Sequence, residues 1–375
     1  MATESLIHIV TGNCEPFRLV LRDGDKWDPS LEAINDRTYD YVKLCRLSLS
    51  LNIGIEPFGL GVCFDGTFFL PALPQYRERP RAVEEFNAAL SRIVLGGVYC
   101  EAVSPADVGA STMSHAGYTM FSCAKGASAR FHAAARMQSI AALDVMRLYK
   151  PETIRASELA SAYNKGKRVL DKLPSFPSEI VLYASSHFVR HQWSECLIHA
   201  WTLSERLIEI AWAMRVVPPN VDRARRDFLQ DQRAWTSATK LEVLLQIRAL
   251  PEQLVMSLNV VRKARNRLVH DGKSPDYSNA SMAIRSMFEL LSMVASDFVS
   301  DVDFEDTVEL VTKRSRPELF PQEEDDPLDP THFLELPPVP GFSGWSDDEE
   351  YEVIESLRVK RVDFRDAEGS GDEAK

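Results

Sequence analysis

The chain has 375 residues, 45% of them hydrophobic and 26% charged, an ordinary globular composition with length enough for two or three domains. Its formal net charge is −12, but residues 316–375 alone hold 18 Asp and Glu against 6 Lys and Arg, while 215–285 hold 13 Lys and Arg against 7 Asp and Glu. A basic region in an otherwise balanced body removes the objection to nucleic-acid partners that the acidic total would raise.

No apolar run approaches 18 residues and no basic-then-apolar segment opens the chain, so neither a membrane partner nor a secretory signal is expected. Six scattered cysteines without a C-x-x-C pair are read as buried free thiols of a cytoplasmic protein.

Residues 6–73 read as β-rich, with runs at 6–11, 17–22, 39–53 and 60–70. Asp65-Gly66, set between Val62-Cys63-Phe64 and Thr67-Phe68-Phe69, predicts a hairpin turn. The period then becomes helical over 80–95, where Val83, Phe86, Leu90 and Ile93 share a face and Gly96-Gly97 supply the C-cap. A second helix is predicted over 128–149, with Phe131, Ala134, Met137 and Ala141 in register, and a polar helix over 155–172. Pro174 and Pro177 mark a boundary, which makes 1–175 a mixed α/β domain suited to sensing a ligand or a protein partner.

From 180 to 300 the pattern is purely helical, with helices predicted at 179–214, 236–249, 252–270 and 278–299. Short connections between long helices imply an antiparallel bundle over 176–302. The expected fold class is therefore α+β. After 316 come seven prolines by 340 and acidic runs at 323–326 and 347–350, the composition of a flexible acidic tail over 316–375. Only 351–364 has the apolar content to dock.

The chemistry gathers near the end of the third bundle helix, in Arg265-Asn266-Arg267-Leu268-Val269-His270-Asp271-Gly272. On a helical wheel Leu254, Leu258, Val261 and Leu268 form an apolar stripe, and Arg265 falls inside it, where a leucine would be expected. Arg262, Asn266 and His270 stack at i, i+4, i+8 on an adjacent face. A guanidinium suits phosphate oxygens, an amide can orient them, and an imidazole can take or give a proton. Arg265 and His270 diverge by about 140° in a regular helix, so fraying at Asp271-Gly272, or sharing of the site between two protomers, is needed to bring them together.

This segment resembles the R-N-x-x-x-H form of the R-x(4–6)-H motif of the HEPN superfamily, and the Asp-Gly turn after it resembles the Apea-like branch. The helix carrying Trp201, Leu203, Glu205, Leu207, Ile208 and Glu209 is similar to the long first helix of that family. The resemblance covers 180–300 only. It implies an all-α bundle paired across a two-fold axis, and metal-independent cleavage of RNA by attack of the 2′-hydroxyl. Under it Arg265, Asn266 and His270 are the catalytic residues and Arg262, Lys263 and Arg267 hold substrate, with no metal and no cofactor. It also implies a bacterial stress or antiphage setting. The rival it carries is a non-catalytic dimerisation or RNA-binding module.

Two other groups stand out. His187, His191, Glu195 and His199 recur every four residues, a spacing that can bind metal. On a single helix this face lies roughly opposite the apolar stripe, so it is read as solvated or as a dimer seam. Arg223, Arg225, Arg226 and Arg233 are read as a basic linker that can also follow an RNA backbone. No phosphate-binding loop and no G-x-S-x-G elbow are present; Gly96-Gly97 follows a helix, not a strand.

Overall fold

The computed structural model describes residues 6–120, 122–173, 176–231, 233–300 and 302–315. The acidic stretch 316–375, with its apolar segment 351–364, lies outside the described residues.

The β-rich reading of the first half corresponds to β1 (Ile7–Gly12), β2 (Arg18–Leu21), β3 (Leu47–Leu51), β4 (Leu60–Cys63), β5 (Phe68–Pro71), β6 (Val108–Met113) and β7 (Glu152–Arg155). Five of them form an antiparallel sheet in the order β3-β4-β5-β1-β6, while β2 and β7 pair in parallel as a separate ribbon. The helices of this half are α1 (Leu31–Asn35), α2 (Tyr41–Leu44), α3 (Arg79–Leu95), α4 (Ala127–Arg136), α5 (Val145–Tyr149) and α6 (Ala156–Leu170). Asp65-Gly66 closes the β4–β5 hairpin as its turn chemistry requires: Gly66 has φ of +83°, and Cys63 N–H bonds Thr67 O at 2.8 Å.

Every residue of β4 and β5 is buried because both sheet faces are covered. On one face Phe86, Leu90 and Ile93 of α3 pack on Val10, Val62, Phe68 and Leu70; on the other Ile9, Cys63, Phe69 and Met113 form a smaller cluster with Phe58. α3 and α6 cross in backbone contact. A Cβ on Gly166 would lie 1.9 Å from Arg92 O, so only glycine fits there.

Two expectations change here. The run 39–53 is not one strand, because Asp40 accepts the Lys43 N–H at 3.1 Å and caps α2 before β3 begins. The helix expected over 128–149 stops at Arg136, with Gln138 in a left-handed conformation at φ of 52°. Met137 and Ala141 are exposed, and the buried face of α4 is Phe131, His132, Ala135 and Arg136.

The second half holds α7 (Glu179–Val189), α8 (Trp193–Arg215), α9 (Arg223–Gln230), α10 (Ser237–Gln246), α11 (Glu252–Asp271), α12 (Tyr277–Ser296) and α13 (Glu305–Arg314). The helix expected over 179–214 is broken. Arg190 and His191 fold back on Ser186 O and Phe188 O, and His191 takes φ of 59°, so α7 and α8 form a hairpin. α8 is the centre of the bundle, with Trp201, Leu207 and Trp212 buried in one core with Ile284, Met287 and Leu291 of α12. Trp193 meets Tyr277 at one end (ring centroids 5.6 Å apart) and Arg215 pairs with Asp297 at the other. α8 and α12 therefore run parallel, and α11 runs against them.

The two halves share a core through Leu95 and Tyr99, and polar contacts join them. Asn87 Nδ2 donates to Tyr183 Oη at 3.1 Å, Ala102 N–H donates to Ser186 Oγ at 2.9 Å, Arg190 pairs with Glu101, and Arg314 reaches Glu152 at 2.9 Å. The chain on either side of residues 174–177 thus belongs to one compact unit. No helix among the described residues is long and apolar enough to cross a membrane. All six cysteines are free, but not all are buried as expected: Cys123 is exposed and Cys14 and Cys45 are half-buried.

Candidate functional site

α11 follows Pro251 and buries Leu254, Val255, Leu258, Val261 and Ala264. Arg265 continues that stripe and is half-buried, while Lys263, Arg267 and His270 are exposed. The helix ends on Gly272 at φ of 65°, whose N–H reaches Leu268 O at 3.2 Å, a left-handed cap that glycine adopts without strain. α11 is therefore regular through Asp271.

The cap decides what the motif can assemble. Fraying at Asp271-Gly272 does not occur, so Arg265 and His270 leave one chain about 140° apart. Arg265 instead donates from Nη1 to Asn266 Oδ1 at 3.2 Å. That bond occupies the amide oxygen and leaves the Nδ2 donors of Asn266 to turn outward. Arg262, Asn266 and His270 do line one ridge, each one turn from the next, with Arg262 Nε bonded to Asn259 Oδ1 at 3.3 Å. Lys263 and Arg267 flank His270 on the wheel, together with Met256 and Val260, two exposed apolar residues on the same face.

Among the described residues no carboxylate lies within ion-pair distance of Arg262, Lys263, Arg265 or Arg267; the ion pairs formed elsewhere in this half include Arg215–Asp297, Arg223–Asp227 and Lys240–Glu209. The ridge thus presents cations, an amide and an imidazole to solvent, the set that phosphate binding and proton transfer need.

Its surroundings follow from the topology. The C-terminus of α11 lies at the end of the bundle where Trp193 and Tyr277 meet, and the Trp193 ring also stacks on His191 at 4.9 Å. The basic helix α9 is anchored at the opposite end, where Trp212 Nε1 donates to Leu229 O at 2.8 Å. The length of α8, about 35 Å, separates them, so Arg223, Arg225 and Arg226 do not join the His270 end.

Sequence reading did not single out a buried polar network in the first half. Asp65, fully buried, accepts from Arg136 Nε and Nη2 at 2.7 Å each, from His132 Nδ1 at 3.0 Å, and from its own turn through Thr67 N–H at 3.1 Å. Burial alone would raise its pKa; the charge of Arg136, then that of His132, outweighs burial and holds the carboxyl well below the usual range. His132 and Arg136 one turn apart beside Phe131 and Ala135 are the signal that could have found it. A cavity of about 30 Å³ beside it, lined by Cys14, Arg18, Cys100 and His132, has room for one water. Burial pushes the Cys100 thiol up to about 12 and that of Cys63 to about 11, which leaves both protonated and unsuited to nucleophilic attack. The network reads as structure, not chemistry. An open groove of about 570 Å³ between β1, β6 and the segment 72–79 carries His8, Arg77 and Arg79 on its rim.

Comparison of the chain with protein-family models, curated proteins and solved structures finds no match.

Proposed function

We propose that this chain is an endoribonuclease that needs neither metal nor cofactor, with the Arg262–Asn266–His270 ridge as its site. The supporting observation is that ridge itself: an imidazole and an amide one turn apart, beside exposed Lys263 and Arg267, at a capped helix end. In this reading Arg262, Lys263 and Arg267 neutralise the phosphate, and Asn266 orients it through Nδ2. His270 takes the proton of the 2′-hydroxyl as O2′ bonds to phosphorus. The P–O5′ bond breaks in line, and His270 of a second copy of the chain, carrying a proton, gives it to O5′. The products are a 2′,3′-cyclic phosphate and a 5′-hydroxyl. Arg265 acts through Asn266 as a positioning residue.

Two copies are required because each chain brings one imidazole to the ridge, and Met256 and Val260 offer the apolar seam for a two-fold homodimer. The resemblance to HEPN proteins supplies the setting, a cytoplasmic enzyme of bacterial stress or phage defence. The groove beside His8, Arg77 and Arg79 would take an anionic trigger. The regular helix that turns Arg265 away from His270 favours a second reading, a non-catalytic dimerisation or RNA-binding module.

Purified full-length chain and His270→Ala, each incubated with single-stranded RNA in EDTA, separate the two. The wild type is expected to release cyclic-phosphate ends, the variant to cleave about 10²–10⁴-fold more slowly with unchanged helical circular dichroism. Equal rates, or cleavage of a fully 2′-deoxy strand, would overturn the assignment.

A further inference from the structure

α3 covers one end of the sheet face and leaves the other open. Its Phe86 lies over Gly12, where an added Cβ would meet the ring at 2.8 Å. Residues directly opposite in an antiparallel pair share a face, so the pairs Val10–Ala110 and His8–Thr112 continue this face toward the start of β1. There Ala110 and His8 are exposed. Ala72 N–H donates to His8 O at 3.2 Å, which holds the segment leading into α3 beside that end of the strand. Between them lies the open groove of about 570 Å³. Val10, Leu73 and Ala110 give it an apolar floor, and His8, Arg77 and Arg79 stand around it. Among the described residues the side chains of these three have neither an ion pair nor a hydrogen bond. The neighbouring acids do not neutralise them. Glu84 pairs with Arg81 at 2.9 Å, Glu85 accepts from Tyr76 Oη at 3.2 Å, and Glu78 pairs with neither arginine beside it.

We propose that this groove binds a nucleoside phosphate, its base and sugar on the apolar floor and its phosphates against Arg77, Arg79 and His8. The volume falls within the range of small-molecule sites, about 300–1,000 Å³. Two unpaired guanidiniums two residues apart offer planar forks of donors to phosphate oxygens. The floor supplies no charge: Val10, Leu73 and Ala110 form a surface on which a flat ring displaces water. A small inorganic anion would leave that floor wet, and an apolar ligand would leave the guanidiniums unneutralised. A molecule with an apolar ring at one end and phosphates at the other answers both halves. A nucleoside phosphate is then the anionic trigger assigned to this groove above; that role rests on the ribonuclease reading, whereas the binding itself does not.

The test reads binding rather than cleavage. Calorimetry of the full-length chain with ATP, GTP, CTP and UTP in turn is expected to show saturable binding of at least one of them. That nucleotide should bind more tightly than its nucleoside and more tightly than inorganic tripolyphosphate, because each control meets only half of the groove. Arg77→Ala and Arg79→Ala should each weaken it about tenfold or more, the loss of a bond to a charged group. Ala110→Trp fills the floor without changing charge and should weaken the nucleotide but not tripolyphosphate. Arg223→Ala, on the exposed face of α9, should leave binding unchanged. In the wild type, bound nucleotide should slow amide hydrogen exchange within 72–82 and 108–111, a readout that needs no variant. The proposal is overturned if none of the four nucleotides binds, if tripolyphosphate binds as tightly, if binding survives both arginine variants, or if Arg223→Ala weakens it as much.

Discussion

Replacing Arg136 by Met keeps most of the side chain's volume and removes the cation that neutralises Asp65. Asp65 is fully buried and Arg136 nearly so, and the two share bonds of 2.7 Å at both carboxylate oxygens. Removing one partner of a buried pair costs about 3–5 kcal/mol, because the remaining charge stays desolvated. At about 2 °C per kcal/mol for a unit of this size, the thermal midpoint should fall by roughly 6–10 °C. The double variant Asp65→Asn, Arg136→Met should recover part of that loss, since Asn keeps the acceptor for the Thr67 N–H without the charge. The pH arm has a definite sign. The depressed pKa of folded Asp65 means that its contribution is complete above the unfolded carboxyl value near ~3.9 and is lost as pH falls through the lower folded value. Without Arg136 the folded value rises and that contribution shrinks, so the stability difference between wild type and Arg136→Met should be full near neutral pH and narrow as pH falls and Asp65 takes up its proton. Thermal and acid unfolding followed by circular dichroism measure both arms. A single variant within 1 kcal/mol of the wild type, or a double variant as unstable as the sum of the two single variants, would refute the reasoning.

Arg265→Ala and Asn266→Ala should each lower kcat for RNA cleavage by about tenfold, and the double variant should be no worse than Asn266→Ala, because Arg265 works through the amide; additive losses would give Arg265 an independent role. Val260→Asp places a charge on the exposed apolar face that also carries His270, so sedimentation at micromolar concentration should shift from dimer to monomer and cleavage should fall with it. A wild type that is strictly monomeric and still cleaves RNA removes the shared site. Truncation at residue 315 removes a net charge of −12 and tests whether that acidic stretch competes with RNA for the basic region. RNA affinity should rise on truncation, most at low salt; equal affinity across salt concentrations excludes the competition.

What the sequence disclosed was local. The β4–β5 hairpin, α3, α11 and α12 were legible because turn chemistry and a 3.6-residue period act within a few residues. The α7–α8 break was not, because Arg190-His191-Gln192 contains neither Gly nor Pro and the apolar pattern runs through it. The burial of Asp65 was hidden for a different reason: its partners His132 and Arg136 lie 67 and 71 residues away, and no period connects them. The candidate site falls between these cases. Its residue types and spacing were readable, but which of them face together depended on the cap at Gly272.

That cap also fixes what a cleaving centre must look like. In-line displacement puts the attacking O2′ and the leaving O5′ on opposite sides of phosphorus, so the group that takes the first proton cannot at the same moment deliver the second. A regular α11 gives the ridge one imidazole, followed at once by the Gly272 turn. Arg265 does not supply the missing acid, because a guanidinium does not release its proton near neutrality and because it faces away by about 140°. A second His270 from a two-fold copy meets the requirement without new chemistry. Under the proposal, Met256, Val260, Lys263 and Arg267, which share the exposed face that carries His270, would take the seam as the apolar pair and the phosphates as the basic pair. Enzyme and binding module therefore part on one measurable property: cleavage should appear with the dimer as concentration rises, whereas a module binds RNA and leaves it intact at every concentration.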